Sequence, residues 1–196
     1  ISITQTINPF NNTINIAGDK SLSIRWVLLA SQTNGKSRAY NLLMSDDVLA
    51  AINAIKILGI KVKVENDYCE IFGNGINGFK YRKNLTIDAK NSGTLARLIL
   101  GLLIKSPHKI KLIGDKSLSK RDFARVTDPL NKSGAKFFYK KKGKLPLSIL
   151  GIKNPKIINY FENKGSAQCK SSVMLAALNT VGKTLIKAKK SRNHSE

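Results

Sequence analysis

The chain has 196 residues, enough to bury a core as one or two domains, and its 42% apolar content reads as a soluble globular protein. No apolar run approaches a membrane span, and the polar segment opening at Ile1 is no basic-then-apolar leader, so neither a membrane protein nor a signal peptide is expected. The net charge of +22, from 34 Lys and Arg against 12 Asp and Glu, suits an anionic substrate or a nucleic acid.

A strand is expected near 13–16, followed by a helix over 21–33 and a strand over 37–41. An amphipathic helix over 46–57 comes next, then a hairpin over 61–72 turning at Asn66-Asp67. The same order returns: a strand at 85–87, a helix at 93–104, a strand at 109–113, an amphipathic stretch at 122–132 and a hairpin at 137–150. A third round supplies a strand near 156–160, a helix over 171–179 and a strand over 184–188.

The repetition is also visible in the residues. Leu58-Gly59-Ile60-Lys61-Val62 recurs 75 residues on as Ser133-Gly134-Ala135-Lys136-Phe137, each after an amphipathic stretch and before a hairpin. Small, polar helix starts fall at Lys20-Ser21, Asn91-Ser92-Gly93-Thr94 and Ser166-Ala167-Gln168, spaced by 71 and 75 residues. The unit is strand, helix, strand, helix, two strands, an α/β (α+β) pattern present in two complete copies and part of a third. With Ile1 in place of an initiator Met, the chain reads as a fragment.

One phrase occurs twice, Gly18-Asp19-Lys20-Ser21-Leu22-Ser23-Ile24-Arg25 and Gly114-Asp115-Lys116-Ser117-Leu118-Ser119-Lys120-Arg121. Each sets a Gly-Asp turn and hydroxyl residues ahead of an Arg at a helix mouth, where unpaired N–H groups and the positive dipole end favour an anion. Lys20, Ser21 and Arg25 supply a point charge, a hydroxyl and a fork for phosphate or carboxylate. The plainer alternative is that Ser21 only caps the helix. Gly93 permits close backbone approach to a ligand, with the Asn91 amide as a donor; here the alternative is an ordinary Asn cap. Ser166 and Gln168 suit hydroxyl and carboxylate recognition, and Arg192 suits a phosphate. His194 alone reads as a surface or capping residue.

Asp46 and Asp47 read as caps of the second helix, with an influence on Lys20 if they approach it. Cys69 and Cys169 are isolated from each other and from clustered His, so neither a disulfide framework nor a metal site is indicated, and a reducing cytoplasm is the expected location. Cys169 reads as a packed side chain rather than a nucleophile. The run Lys140-Lys141-Lys142-Gly143-Lys144 falls at a hairpin tip, where a solvated loop is favoured over a nucleic-acid patch.

Taken together, Gly-Asp-Lys-Ser at 18–21, Asn-x-Gly-Thr at 91–94, Arg121, Ser-Ala-Gln-x-Lys at 166–170 and Arg-x-His-x-Glu at 192–196 resemble the 5-enolpyruvylshikimate-3-phosphate (EPSP) synthase family, in its second bacterial class. The resemblance implies transfer of the enolpyruvyl group of phosphoenolpyruvate to the 5-hydroxyl of shikimate 3-phosphate, with release of phosphate, in chorismate and aromatic amino-acid biosynthesis. It implies an inside-out α/β barrel of the enolpyruvyl transferase type, built from three such units per domain. Residues 1–17 would open the other domain and the crossover, and 18–196 would form a substrate-binding domain.

Carried over by residue, Lys20, Ser21, Arg25, Ser166, Ala167, Gln168 and Arg192 would hold shikimate 3-phosphate. Lys20, Asn91, Gly93, Arg121 and Gln168 would hold phosphoenolpyruvate. The family's acid–base carboxylates lie beyond this sequence, so no catalytic residue is assigned here; no cofactor or metal is implied, and the full-length protein would be a monomer without membrane or nucleic-acid partners. The related transferase acting on UDP-N-acetylglucosamine fits less well, since its Lys-Asn pair at the first helix and its loop Cys are missing. A basic nucleic-acid-binding module would explain the charge but not the three regular helix starts.

Overall fold

Each polar helix start is a capped N-terminus. In α1 (Lys20–Ala30) Asp19 is the cap and accepts from Leu22 N; in α3 (Gly93–Leu102) Ser92 accepts from Leu95 N; in α6 (Ala167–Ala177) Ser166 accepts from Cys169 N. The acceptor in every case satisfies the N–H three residues on, one of the four a helix start leaves open. A computed structural model describes residues 13, 16–66, 68–163 and 165–189.

The first unit continues from α1 through β1 (Asn34–Tyr40), α2 (Asp46–Ile57), β2 (Lys61–Val64) and β3 (Tyr68–Asn74). The second runs through β4 (Thr86–Asp88), α3, β5 (Ile110–Ile113), the single turn α4 (Lys116–Ser119), α5 (Ala124–Asn131), β6 (Lys136–Tyr139) and β7 (Leu147–Leu150). The third supplies β8 (Asn159–Glu162), α6 and β9 (Leu185–Ala188).

Sheet order confirms the repeat. The first sheet runs β1-β3-β2 and the second β4-β5-β7-β6, so β1, β3 and β2 correspond to β5, β7 and β6. Both hairpins are antiparallel, while β4 pairs β5 and β8 pairs β9 in parallel, each pair bridged by α3 or α6. The strand expected near 13–16 lies partly outside the described residues; Ile16 O accepts from Asn41 Nδ2 at the end of β1.

The core lies between the helices and the inner sheet faces. α3 is its centre: Leu95, Ala96, Leu98, Ile99 and Leu100 are fully buried. α6 lies beside it in the same direction, with Gln168 bonded to Thr94 and Ser172 Oγ donating to Arg97 O at 2.9 Å. Gly101 allows the approach, because a Cβ there would stand 2.1 Å from Ser172 O. α1 completes the row through Arg25, whose Nη2 donates to Ser171 Oγ at 3.2 Å.

Two expectations are corrected. α6 begins at Ala167 rather than Ser171, because its polar first turn packs on α3 under a Ser166 cap. The amphipathic stretch at 122–132 is helical only from Ala124, since the Asp122 carboxylate accepts from Ala124 N and closes a turn there. The twin phrases adopt the same capping turn, Asp19 to Leu22 N at 2.7 Å and Asp115 to Leu118 N at 2.6 Å, yet occupy different places in the unit. The first opens an eleven-residue helix, whereas the second makes one turn before the chain swings into α5.

Candidate functional site

Two guanidinium groups close over one glycine. At the buried first residue of α3, a Cβ on Gly93 would lie 2.7 Å from Arg121 Nη1 and 3.1 Å from Arg97 Nη1. Arg121 arrives from the turn between α4 and α5, and Arg97 from one turn further along α3 itself. The space that glycine leaves is thus occupied by cationic side-chain tips, which only a residue without Cβ permits at this distance.

Arg97 also reaches α6. Its Nη1 donates to Gln168 Oε1 at 2.6 Å, and Gln168 Nε2 donates to Thr94 Oγ1 at 3.0 Å, so both ends of that amide are held by α3. The Arg97 Nη2 donates to Asp122 O at 3.4 Å, and its guanidinium lies 5.3 Å from the centre of the Phe123 ring. Burial pulls Arg97 below the ordinary arginine value; the Cys169 thiol opposes this, while Arg121 and Arg125 add repulsion. A site with three guanidiniums this close favours an anion that neutralises them.

Asn91 joins the same wall. Its Nδ2 donates to Asp115 Oδ2 at 2.5 Å, and Asp115 N donates to Lys90 O at 2.8 Å, which ties the loop before α3 to the turn that carries Arg121. The Leu118 N–H and then the Asn91 amide hold the Asp115 carboxyl below the usual range. Ser92, not Asn91, is the helix cap, so Asn91 is free of that task.

Lys20 stands at the first position of α1 and pairs with Asp47 Oδ2 at 2.9 Å. The expected approach of an acidic residue to Lys20 is therefore met by Asp47. Ser45 occupies the cap position of α2, so Asp46 and Asp47 are not caps but first-turn carboxylates facing the positive helix end. Asp47, Lys90, Asn91 and Asp115 line one cleft of about 840 Å³, which brings the Lys20 pair and the Asn91 loop onto a shared opening.

Ser21 is not the α1 cap, since Asp19 holds that place; its carbonyl accepts from Arg25 Nη1 at 3.1 Å. Arg25 thereby bridges α1 to Ser171 on α6. Ser166 and Ala167 sit at the cap and first residue of α6, next to Gln168. Arg192 and His194 lie outside the described residues. Cys169 is buried, as expected of a packed side chain. The residue that sequence reasoning passed over is Arg97, a lone charge in an otherwise apolar helix, and that isolation is the signal that finds it.

This arrangement coincides with a family-wide match: the family model for EPSP synthase (3-phosphoshikimate 1-carboxyvinyltransferase) covers residues 4–196. The chain belongs to the EPSP synthase family. It is 39% identical over 188 residues to a 3-phosphoshikimate 1-carboxyvinyltransferase of Streptococcus mutans, covering 95% of this chain and 44% of that protein. To the enzyme of that name from Petrotoga mobilis it is 38% identical over 199 residues, covering 100% of this chain and 46% of the relative. The solved EPSP synthase of Acinetobacter baumannii superposes with a TM-score of 0.86 at 32% identity, over 93% of this chain and 41% of that one. The fold is thus the inside-out α/β arrangement of the enolpyruvyl transferases, and the chain spans less than half the length of the relatives it matches. Among the described residues no helix is long and apolar enough to cross a membrane.

Proposed function

We propose that this chain supplies the substrate-gripping half of a 3-phosphoshikimate 1-carboxyvinyltransferase, which moves the enolpyruvyl group of phosphoenolpyruvate to the 5-hydroxyl of shikimate 3-phosphate and releases phosphate. The observation that carries this reading is the convergence of Arg121 and Arg97 over Gly93 with Gln168 fixed alongside, in a chain matched to the EPSP synthase family over residues 4–196.

The chemistry requires two phosphorylated acids to be held together despite their repulsion, and cations placed in advance lower that cost. In this reading Arg121, the Gly93 backbone, Asn91 and the Gln168 amide receive phosphoenolpyruvate. Ser21, Arg25, Ser166, Ala167, Gln168 and Arg192 receive shikimate 3-phosphate. Lys20, steadied by Asp47, touches both substrates. The groups that move protons come from the part of the longer relatives that this chain does not span. Residues 18–196 form the substrate-binding domain, with 1–17 leading from the other; the whole protein acts in the cytoplasm as a monomer.

The test is calorimetric titration of shikimate 3-phosphate into the 196-residue chain, alongside a phosphate-release assay with both substrates. Binding without turnover, and turnover restored by a chain carrying the remaining part, are the expected results. Turnover by this chain alone would overturn the division of labour, and a lack of binding by a folded chain would overturn the substrate assignment.

A further inference from the structure

The lysine run does not end in open solvent. It forms the connection between β6 and β7, and that connection folds back onto the turn carrying Arg121. Gly143 O accepts from Phe123 N at 2.8 Å, and Lys144 Nζ donates to Lys120 O at 2.7 Å. Gly143 is buried there, and a Cβ on it would meet Ala124 Cβ and Asp122 Oδ1, both at 3.2 Å. Its φ of +69° is one that glycine adopts freely, so the residue suits this close seat. A further bond, Lys144 N to Lys141 O at 3.0 Å, closes the run into a turn.

Lys144 is thus a pin, and Lys140, Lys141 and Lys142 are left exposed beside it. Arg121 stands two residues before Phe123 and Lys142 one before Gly143, so along this path the backbone at Lys142 lies on the order of 10 Å from that at Arg121. That is about one Debye length at physiological salt. Asp122 faces Gly143 at this seam, its carboxylate also accepting from Ala124 N, and Asp128 joins it in acting on the Tyr139 hydroxyl just before Lys140.

The geometry points to an electrostatic collar: Lys140, Lys141 and Lys142 attract the phosphate-monoester dianion into the Arg121–Gly93 site without touching it. The inference rests on the proposed substrate class and deepens it, assigning to the loop the capture of small dianions rather than of a polyanion. Field effects of this kind act through summed charge near a cleft and fade with salt.

The experiment compares the parent chain with the triple variant Lys140→Gln, Lys141→Gln, Lys142→Gln, leaving the Lys144 pin in place. A control triple variant carries Lys56→Gln, Lys61→Gln and Lys63→Gln; Lys56 lies in the last turn of α2, about 14 Å along the helix from Asp47. Dissociation constants for phosphoenolpyruvate, for inorganic phosphate and for a single-stranded oligonucleotide are measured by calorimetry at 10, 150 and 500 mM ionic strength. The collar variant is expected to bind about twenty-fold more weakly at 10 mM and about three-fold more weakly at 150 mM, and to match the parent at 500 mM. The control is expected to shift far less. Equal salt dependence in parent and collar variant overturns the collar while leaving the substrate reading intact. Weakened binding confined to a single-stranded oligonucleotide overturns it in favour of a polyanion surface, and a parent chain that binds neither small anion overturns both.

Discussion

Arg97 holds Gln168 across the boundary between two repeat units: Nη1 of the one donates to Oε1 of the other at 2.6 Å, from α3 to α6. The amide nitrogen of Gln168 is left as the donor end, already directed to Thr94. Replacing Arg97 by Met should weaken shikimate 3-phosphate binding by about 1.5–3 kcal/mol, the range for a charged hydrogen bond, with the fold retained. Calorimetry on Arg97→Met, Gln168→Ala and the double variant checks it: the two losses should be strongly non-additive, and additive losses would mean that the residues act separately.

Gly93→Ala should leave the melting temperature unchanged or raise it. The residue is not among those with positive φ, and alanine is the better helix former by up to about 1 kcal/mol. The new methyl must instead displace the flexible tips of Arg121 and Arg97. Phosphoenolpyruvate binding should suffer more than shikimate 3-phosphate binding; equal losses measured in the full-length enzyme would speak against the separate placement of the two ligands.

Arg25 has a structural duty besides its proposed ligand, since it joins Ser21 O to Ser171 Oγ. Arg25→Ala is expected to lower stability by about 1 kcal/mol and shikimate 3-phosphate affinity by about 1.5–3 kcal/mol. Ser171→Ala should reproduce the first effect with little of the second. Chemical denaturation paired with calorimetry separates them.

Asp115 links stability to acidity. Its folded pKa is depressed by the Leu118 N–H and the Asn91 amide, so its contribution is present above the unfolded value of about 3.9 and lost as pH falls through the lower folded value. Thermal melts between pH 7 and 3 should show a steeper acid limb for the parent than for Asp115→Asn, because asparagine keeps the cap but not the charge.

Much of the fold was open to sequence reading because its punctuation is local. The span 46–57 is α2, ended by Gly59 at a φ of +88°, and both hairpins fall where turn residues interrupt alternating strands. For α6 the polar start at Ser166-Ala167-Gln168 is legible but the helical span reads only from Ser171, because Ala167–Lys170 carries no apolar stripe; that turn is helical through its Ser166 cap and its contacts with α3, a tertiary cause. Likewise the twin phrases encode one capping turn, and nothing local says which copy continues into a long helix. Gly93 and Gln168 stand out at polar helix starts and Arg121 in the repeated phrase, but their ligands follow only from the family resemblance, whereas the role of Arg97 emerges only with α3 and α6 side by side. The lysine run was read as solvated, which holds for Lys140 to Lys142, while Gly143 and Lys144 are drawn onto the site's rim by bonds between distant segments.

The close seat of Gly101 against Ser172 makes the interior a gauge of the site. A methyl at Gly101 would meet backbone oxygen at 2.1 Å and cannot be relieved by rotating a side chain, so Gly101→Ala should cost about 1–3 kcal/mol in stability. It should also spread α3 from α6 and lengthen the reach from Arg97 to Gln168, roughly one helical turn away. Ligand affinity would then report on a carbon atom buried in the core that no substrate ever meets.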